Sequence, residues 1–166
     1  LTKDLGRCIG MYDKWGRYEA ESDGVLIAYA SIHGGTAAAA HRMADLLREK
    51  GATEVMTIDL CRADLSAALA EAFRRKHLLL ASSSYDGGLF TPMYNFLHLL
   101  QAKTYRNRRV GLIENGSWAP CAGRVMKEMV TAMKDIDLVE PMVTIRSTMK
   151  ASDEPAMETL AERMLS

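Results

Sequence analysis

Five short apolar runs alternate with longer stretches of helical periodicity in this sequence, and this alternation constrains the fold more than any other feature. The apolar runs are "VLIAY" (25–29), "VMTID" (55–59), "HLLLAS" (77–82), "RVGLIE" (109–114) and "LVEPMVTI" (138–145). Each run is too continuously apolar for a strand with one solvent-exposed face, so we expect both faces of the sheet to be covered. The other stretches predict helices near residues 36–50, 65–75, 92–103, 120–134 and 153–165. This pattern indicates βαβ units in a doubly wound α/β domain with a parallel sheet.

The composition is typical of one soluble globular domain. The chain has 166 residues, of which 48% are hydrophobic and 25% are charged. Lys plus Arg and Asp plus Glu number 21 each, so no net positive field attracts nucleic acid or an anionic membrane. No apolar run approaches the roughly 20 residues of a membrane span, and the N-terminus lacks a signal-peptide pattern. We therefore expect a cytoplasmic protein with no nucleic acid and no membrane as partner.

The cysteines and histidines show no metal-binding pattern. The three cysteines are far apart and include no CxxC pair, which predicts reduced thiols rather than a disulfide framework or a zinc site. The four histidines are equally scattered and form no HxExD or HExxH cluster. The sequence therefore predicts no metal ligand.

The first residues of the chain differ from the rest. Apolar and aromatic residues between Leu5 and Trp15 recur at helical spacing, and the polar stretch "EAESDG" (19–24) follows them. We interpret residues 1–23 as a connector that leads into a domain of residues 24–166. An extra helix packed on the same domain is the alternative interpretation of this periodicity.

Ligands of open α/β sheets bind outside the carboxyl ends of the strands, so the loops after the first, third and fourth strands are the candidate site. The first loop, "SIHGGT" (31–36), places two glycines and two hydroxyl residues immediately before a helix, whose first N–H groups have no helical acceptor. Because it lacks both the Walker lysine and a GxGxxG pattern, it favours a terminal phosphate monoester over a nucleoside triphosphate or a dinucleotide. A tight turn with an incidental glycine pair is the alternative.

The other two loops each contain an aromatic side chain. The stretch "SSSYDGGLFTP" (82–92) is longer than a connection requires, and "NGSWAPCAG" (115–123) again combines small residues with a large aromatic one. Tyr85 and Trp118 are placed to flank a planar ring, although each alone is also explained as a half-buried packing residue. Two such aromatic residues beside an anion-binding loop favour a flat phosphorylated ligand.

The runs "YASIHGGTAAAAHRMADLLREKG", "ASSSYDGGLFTPM" and "ENGSWAPCAGRVM" resemble the three FMN-binding loops of flavodoxin-like domains, in particular those of flavodiiron proteins (A-type flavoproteins). The resemblance extends over nearly the whole chain from Val25. It implies a flavodoxin-like, five-stranded parallel sheet in the order 2-1-3-4-5 with helices on both faces, and FMN as the cofactor. The stretch "MYDKWGRYEAES" also resembles the family's connector from a metallo-β-lactamase-like domain, which implies that the chain is a C-terminal fragment.

The resemblance also implies which residues bind FMN. Residues 31–36 would bind the phosphate, residues 83–88 would border the isoalloxazine with the Gly87 and Gly88 peptides at its N5 atom, and residues 115–118 would close the other side. The implied cofactor-binding residues are Ser31, Ile32, His33, Gly34, Gly35, Thr36, Ser83, Ser84, Tyr85, Asp86, Gly87, Gly88, Asn115, Gly116, Ser117 and Trp118. No catalytic residue and no metal ligand is implied within this chain.

The function implied by the resemblance is electron transfer. In flavodiiron proteins, oxygen or nitric oxide is reduced at a diiron site in the other domain, so this chain alone is not expected to complete that reaction. It would pass electrons to that domain from a flavin reductase or a rubredoxin-type donor, with a homodimer as a possible assembly. The cationic segment "KTYRNRR" (103–109) is a candidate docking surface for an acidic donor, and a solvated helix end is the alternative.

Two other functions remain open from the sequence. One is a flavodoxin-like docking or dimerisation module without cofactor, which an absence of flavin affinity would favour. The other is an NAD(P)H-dependent FMN quinone reductase, which rapid oxidation of NAD(P)H by the chain would favour. No second nucleotide-binding motif accompanies the first.

Overall fold

The apolar runs form the strands of one sheet in the computed structural model, which describes residues 19–166. The strands are β1 (Ser22–Ala30), β2 (Val55–Asp59), β3 (Arg75–Tyr85), β4 (Gly88–Leu89), β5 (Arg108–Asn115), β6 (Ile136–Leu138) and β7 (Val143–Ile145). The helices are α1 (Gly35–Glu49), α2 (Leu65–Arg74), α3 (Thr91–Ala102), α4 (Ala122–Thr131) and α5 (Glu154–Leu165), the last preceded by a 3₁₀ turn at Ala151–Asp153. Residues 1–18 of the predicted connector lie outside the described residues, and β1 begins within its last two residues.

The strand order confirms the predicted fold class. The parallel strands follow the order β2-β1-β3-β5-β6, and β7 continues β6 alongside β5. Because β5 is the fourth predicted strand and β6 with β7 is the fifth, this is the predicted order 2-1-3-4-5. Within the register, Leu26 of β1 lies between Met56 of β2 and Leu78 of β3. The chain order changes direction between β1 and β3, where open α/β sheets bind ligands.

Both faces of the sheet are covered, as the continuous apolar runs predict. Helices α2, α3 and α4 pack on one face, where Phe96 is fully buried, and α1 and α5 pack on the other. Alternate residues of β1 enter the two cores: Leu26 and Ala28 face one, whereas Val25 and Ile27 face the other. Since successive side chains of a strand point to opposite faces, a strand buried on both sides needs apolar residues at every position.

The fifth predicted strand, residues 138–145, is not continuous, so that prediction is wrong. Strand β6 pairs with the start of β5 and β7 pairs with its end. Between them stand Glu140 and Pro141, which are joined by a cis peptide bond. Proline has no N–H to donate to a strand ladder, so the apolar residues on its two sides form separate short strands.

The loop predicted over residues 82–92 is mostly a hairpin. Strand β3 continues to Tyr85, and β4 returns antiparallel to its end. The two turn residues, Asp86 and Gly87, have φ of 50° and 72°. Positive φ at both central residues is what a type I′ turn requires, and Asp-Gly is among the pairs most favoured there.

Candidate functional site

One cavity gathers the loops at the carboxyl ends of β1, β3 and β5. Its volume is about 390 Å³. The predicted site residues that line it are Ile32, His33, Gly35, Thr36, Ser83, Ser84, Tyr85, Asp86, Asn115, Gly116 and Ser117. Three loops that are far apart in the sequence thus lie together, because the carboxyl ends of parallel strands meet at one edge of the sheet.

Some predicted residues lie outside the lining of this cavity. They are Ser31, Gly34, Gly87, Gly88 and Trp118. Gly87 forms the hairpin turn, and the carbonyl oxygen of Gly88 accepts a hydrogen bond from Cys121 Sγ at 3.3 Å. Trp118 is 93% exposed, whereas Tyr85 lines the cavity and is 56% exposed. Contact of Trp118 or of the two glycines with a flavin ring stays a prediction.

The N-terminus of α1 forms one end of the cavity. The first helical hydrogen bond runs from Ala38 N–H to Gly34 O at 3.0 Å. Within residues 19–166, no acceptor takes up the N–H groups of Gly35, Thr36 and Ala37. We call these three groups the anion end of the cavity, which Gly35 and Thr36 line. Unpaired N–H groups at the positive end of the helix dipole favour an anionic ligand.

The two hydroxyls predicted to bind a phosphate already have protein partners. Ser31 Oγ accepts a hydrogen bond from Gly34 N–H at 3.0 Å. The buried Thr36 Oγ1 lies 2.8 Å from Ser83 Oγ, which also accepts from Ile32 N–H at 3.4 Å. These bonds fasten the loop after β1 to β3. These bonds shape the loop, and because a hydroxyl that accepts keeps its own proton, Ser31 Oγ can still donate to a ligand beside the backbone N–H groups.

Side chains from β3 and β5 cap the N-terminus of α4, on the other side of the cavity. Ser84 Oγ accepts from the N–H groups of Cys121 and Ala122 at 2.9 and 3.0 Å. Glu114 Oε2 accepts from Gly123 N–H at 2.7 Å, and Glu114 is only 6% exposed. Capping satisfies donors that a helix leaves unpaired, so these two side chains fix the loop that connects β5 to α4.

Replacing Ser84 with alanine should lower the free energy of unfolding by about 1–2 kcal/mol, because two helix N-terminal N–H groups lose their acceptor. Urea unfolding of the variant and the parent measures this difference. The matched control is Ser117→Ala, an exposed serine on the wall of the same cavity, which should change stability by less than about 0.5 kcal/mol. Equal losses in the two variants would contradict a capping role for Ser84.

A fourth wall of the cavity, which follows β7, was not predicted from the sequence. Ser147 and Thr148 line the cavity there. Asn115 Nδ2 donates to Ser147 O at 2.9 Å, and Ser147 N–H donates to Asn115 Oδ1 at 2.9 Å. Nothing in "RSTMK" (146–150) indicates a ligand site. The one available signal was its place in the chain, after the carboxyl end of the fifth strand.

The cationic segment 103–109 lies at the amino end of β5, at the opposite edge of the sheet from the cavity. Arg108 is 3% exposed and donates to the carbonyl oxygens of Phe73 and Arg75 at 2.7 and 3.1 Å. Arg109 Nε pairs with Asp137 Oδ2 at 2.9 Å. The guanidinium groups of these two arginines therefore serve contacts within the fold.

Residues 19–166 contain neither a metal-binding cluster nor a membrane-spanning helix. No group of three or more His, Cys, Asp or Glu side chains there is arranged to hold a metal ion. None of the helices in that part of the chain has the length and apolarity needed to cross a membrane. The cytoplasmic location stays a prediction.

Comparisons of sequence show a distant relative. No protein-family model matches the chain. An uncharacterized protein of Methanocaldococcus jannaschii is 24% identical over 125 residues, which are 75% of this chain. The match spans 31% of the length of that curated relative.

Comparisons of structure are more informative. Rubredoxin oxygen:oxidoreductase from Desulfovibrio gigas matches with a TM-score of 0.86 at 18% identity, over 96% of this chain and 40% of that chain. The flavodiiron protein from Giardia intestinalis matches with a TM-score of 0.87 at 16% identity, over 97% and 41%. A flavodoxin from the domain Archaea matches with a TM-score of 0.73 at 19% identity, over 86% and 96%. The chain therefore has a flavodoxin-like fold, similar to flavodoxins and to the C-terminal flavodoxin-like domain of flavodiiron proteins.

Proposed function

We propose that this chain is an FMN-binding electron-transfer domain. The observation that carries the proposal is the single cavity in which the anion end, at the start of α1, is joined to loops from β3 and β5. A ligand that fits both parts has a terminal phosphate and a flat body. FMN combines these two features, and the fold is that of proteins named flavodoxins.

The residues of the cavity fit FMN. The three N–H groups of the anion end are suited to a phosphate monoester without a lysine, because helix N-termini bind phosphate through backbone donors. Tyr85 offers a partly exposed aromatic ring at the cavity wall, and offset stacking on a flat ligand is favourable. The volume of about 390 Å³ lies within the range of small-molecule sites. When bound, FMN itself supplies the electron-transfer chemistry, and the chain holds and orients it.

Electrons would pass through this domain from a flavin reductase or a rubredoxin-type donor to a diiron site in a domain outside this chain. The TM-scores of 0.86 and 0.87 with flavodiiron chains exceed the 0.73 with the archaeal flavodoxin, which favours this role over that of a free-standing flavodoxin. The chain also spans only about 40% of those flavodiiron chains. The proposal includes a homodimer that brings the flavin site close to the diiron site.

The donor would dock beside the cavity and not at the cationic segment 103–109. That segment lies at the other end of β5, which has 8 residues. At the rise of a strand, this separation is roughly 25 Å, too long for direct approach of a donor to the cavity. The docking role that the sequence indicated for this segment is therefore not part of the proposed function.

A titration of the purified chain with FMN and with riboflavin, followed by absorption and fluorescence, tests the proposal. We expect FMN to bind and riboflavin to bind at least tenfold more weakly, because riboflavin lacks the phosphate that the anion end would hold. Binding of neither flavin would contradict the proposal and favour a docking module without cofactor. Rapid oxidation of NAD(P)H by the flavin-loaded chain would instead favour the quinone reductase.

A further inference from the structure

Residues 146–150, which we call the fourth segment, lie directly against the anion end of the cavity. A Cβ atom added to Gly35 would lie 2.1 Å from Ser147 O and 3.0 Å from Asn115 Nδ2. Gly35, Asn115 and Ser147 are therefore in mutual contact. The N–H of Gly35 is the first of the unpaired donors of α1, and Gly35 lines the same cavity as Ser147 and Thr148 of the fourth segment.

Asn115 fixes the backbone of the fourth segment. Its amide makes two hydrogen bonds with Ser147, one to the carbonyl oxygen and one from the N–H, each of 2.9 Å. Ser147 has a φ of 64°, a left-handed conformation that costs energy in a residue other than glycine. The paired bonds compensate for that cost. Asn115 is 8% exposed, and its amide is used mainly to hold Ser147.

The side chains of Lys150 and Arg146 hold the fourth segment in place through hydrogen bonds to carbonyl oxygens. Lys150 Nζ donates to Arg146 O at 3.0 Å and to Thr148 O at 3.4 Å, which closes the segment on itself. Arg146 Nη1 donates to Trp118 O at 3.3 Å and so ties the segment to the loop after β5. Thr148 is an exposed residue that lines the cavity, so its hydroxyl is accessible to a ligand bound there.

We propose that the fourth segment is a phosphate-binding element, in which the Thr148 hydroxyl donates to the phosphate held at α1 and Asn115 is the positioning residue. Arg146 and Lys150 do not line the cavity, but their positive charges on the same segment favour an anion bound beside it. The identity of the ligand as FMN rests on the proposed function. The contact itself requires only a phosphate group.

The affinities of FMN and riboflavin for the parent, Thr148→Ala and Asn115→Asp test this inference. Thr148→Ala should lower the affinity for FMN about tenfold, since one hydrogen bond to a charged group is lost, and should leave the affinity for riboflavin unchanged. Asn115→Asp should lower the ratio of FMN to riboflavin affinity further, because its carboxylate faces Ser147 O and adds a negative charge near the phosphate. Thr131→Ala, an exposed threonine on α4, is the matched control and should bind both flavins like the parent.

Unchanged FMN affinity in both variants, or equal losses for FMN and riboflavin, would overturn the inference. If Asn115 had a purely structural role, its replacement would lower the affinities for both flavins alike. The ratio of FMN to riboflavin affinity therefore separates positioning of the phosphate-binding segment from a general loss of structure.

A titration of the ¹⁵N-labelled parent with inorganic phosphate distinguishes this inference from the proposed function. If the chain binds no flavin but phosphate shifts the amide signals of both Gly35 and Thr148, the proposed function fails and the phosphate-binding role of the fourth segment is supported. If phosphate shifts the amide signal of Gly35 and leaves those of Ser147 and Thr148 unchanged, the proposal that the fourth segment binds phosphate is overturned, even when FMN binds. Absence of any shift in a chain that binds no flavin overturns both.

Discussion

Glu114→Ala should lower the free energy of unfolding by about 2–4 kcal/mol, the largest loss of stability that we expect from one change at a polar residue near the cavity. Glu114 is 6% exposed, and its two carboxylate oxygens accept from Gly123 N–H at 2.7 Å and from the Thr144 hydroxyl at 2.8 Å. Alanine would leave the buried Gly123 N–H at the N-terminus of α4 without an acceptor, and the exposed Thr144 of β7 would lose its bond to the carboxylate.

The carboxylate reaches its position only because residue 123 has no side chain. A Cβ on Gly123 would lie 2.7 Å from Glu114 Oε2 and 2.1 Å from Met142 Sδ. The acid, the glycine and the helix N-terminus therefore form one packed unit. Since a helix N-terminus favours negative charge, the carboxylate also interacts with the α4 dipole.

Urea unfolding of Glu114→Ala, Glu114→Gln and Glu128→Ala tests this account. Glu114→Gln keeps one oxygen for Gly123 N–H and turns its amide toward the Thr144 hydroxyl, so we expect about half the loss of the alanine variant. Glu128 lies on α4 with its side chain 65% exposed and pairs with Arg124, so its replacement should cost at most about 1 kcal/mol. A loss for Glu114→Ala no larger than that for Glu128→Ala would refute the capping role.

Gly35→Ala should lower the free energy of unfolding by about 1–3 kcal/mol and displace the fourth segment. The added Cβ would lie 2.1 Å from Ser147 O, a backbone atom held by Asn115 that moves only with its whole segment. Alanine within a helix is otherwise stabilising relative to glycine by roughly 0.5–1 kcal/mol, so a net loss isolates the steric effect. We expect the affinity for FMN to fall by at least tenfold, because the displaced fourth segment no longer lies beside the N–H donors of α1.

Gly88→Ala is the matched control for this variant. The nearest atom to its added Cβ is Tyr85 O at 3.8 Å, an ordinary contact, and its φ is outside the left-handed region. Its stability should lie within about 0.5 kcal/mol of the parent. If Gly35→Ala unfolds at the same urea concentration as Gly88→Ala, then the close approach of Ser147 to Gly35 is not a feature of the folded protein in solution.

Local patterns predicted most of the fold, and where they failed the cause is identifiable. The prediction of one strand over 138–145 counted apolar residues across Pro141, although a proline interrupts a strand ladder. The hairpin after β3 was missed although Asp86 and Gly87 are a favoured type I′ pair, because the polar stretch was interpreted as an open loop. Both errors concern signals that were present in the sequence.

The candidate site was predicted less completely. The glycines and hydroxyls of residues 31–36 indicated an anion site, but their spacing does not reveal that Ser31 Oγ also accepts from Gly34 N–H and that Thr36 Oγ1 bonds to Ser83 Oγ. The hydrogen bond between Asn115 and Ser147 joins residues 32 positions apart, so no local sequence pattern predicts it. Trp118, which the resemblance places beside the flavin, is 93% exposed, and its contact with a ligand stays a prediction.

By itself, the sequence determined the alternation of strands and helices, the covering of both faces of the sheet and the loops that meet at its carboxyl edge. These follow from backbone periodicity and from the burial of apolar side chains, which act over a few residues of chain. The tertiary structure decided which polar groups stay unpaired, which side chains cap α4 and which segment forms the fourth wall. Those outcomes depend on hydrogen bonds between residues distant in the chain, so they exist only once the strands have come together.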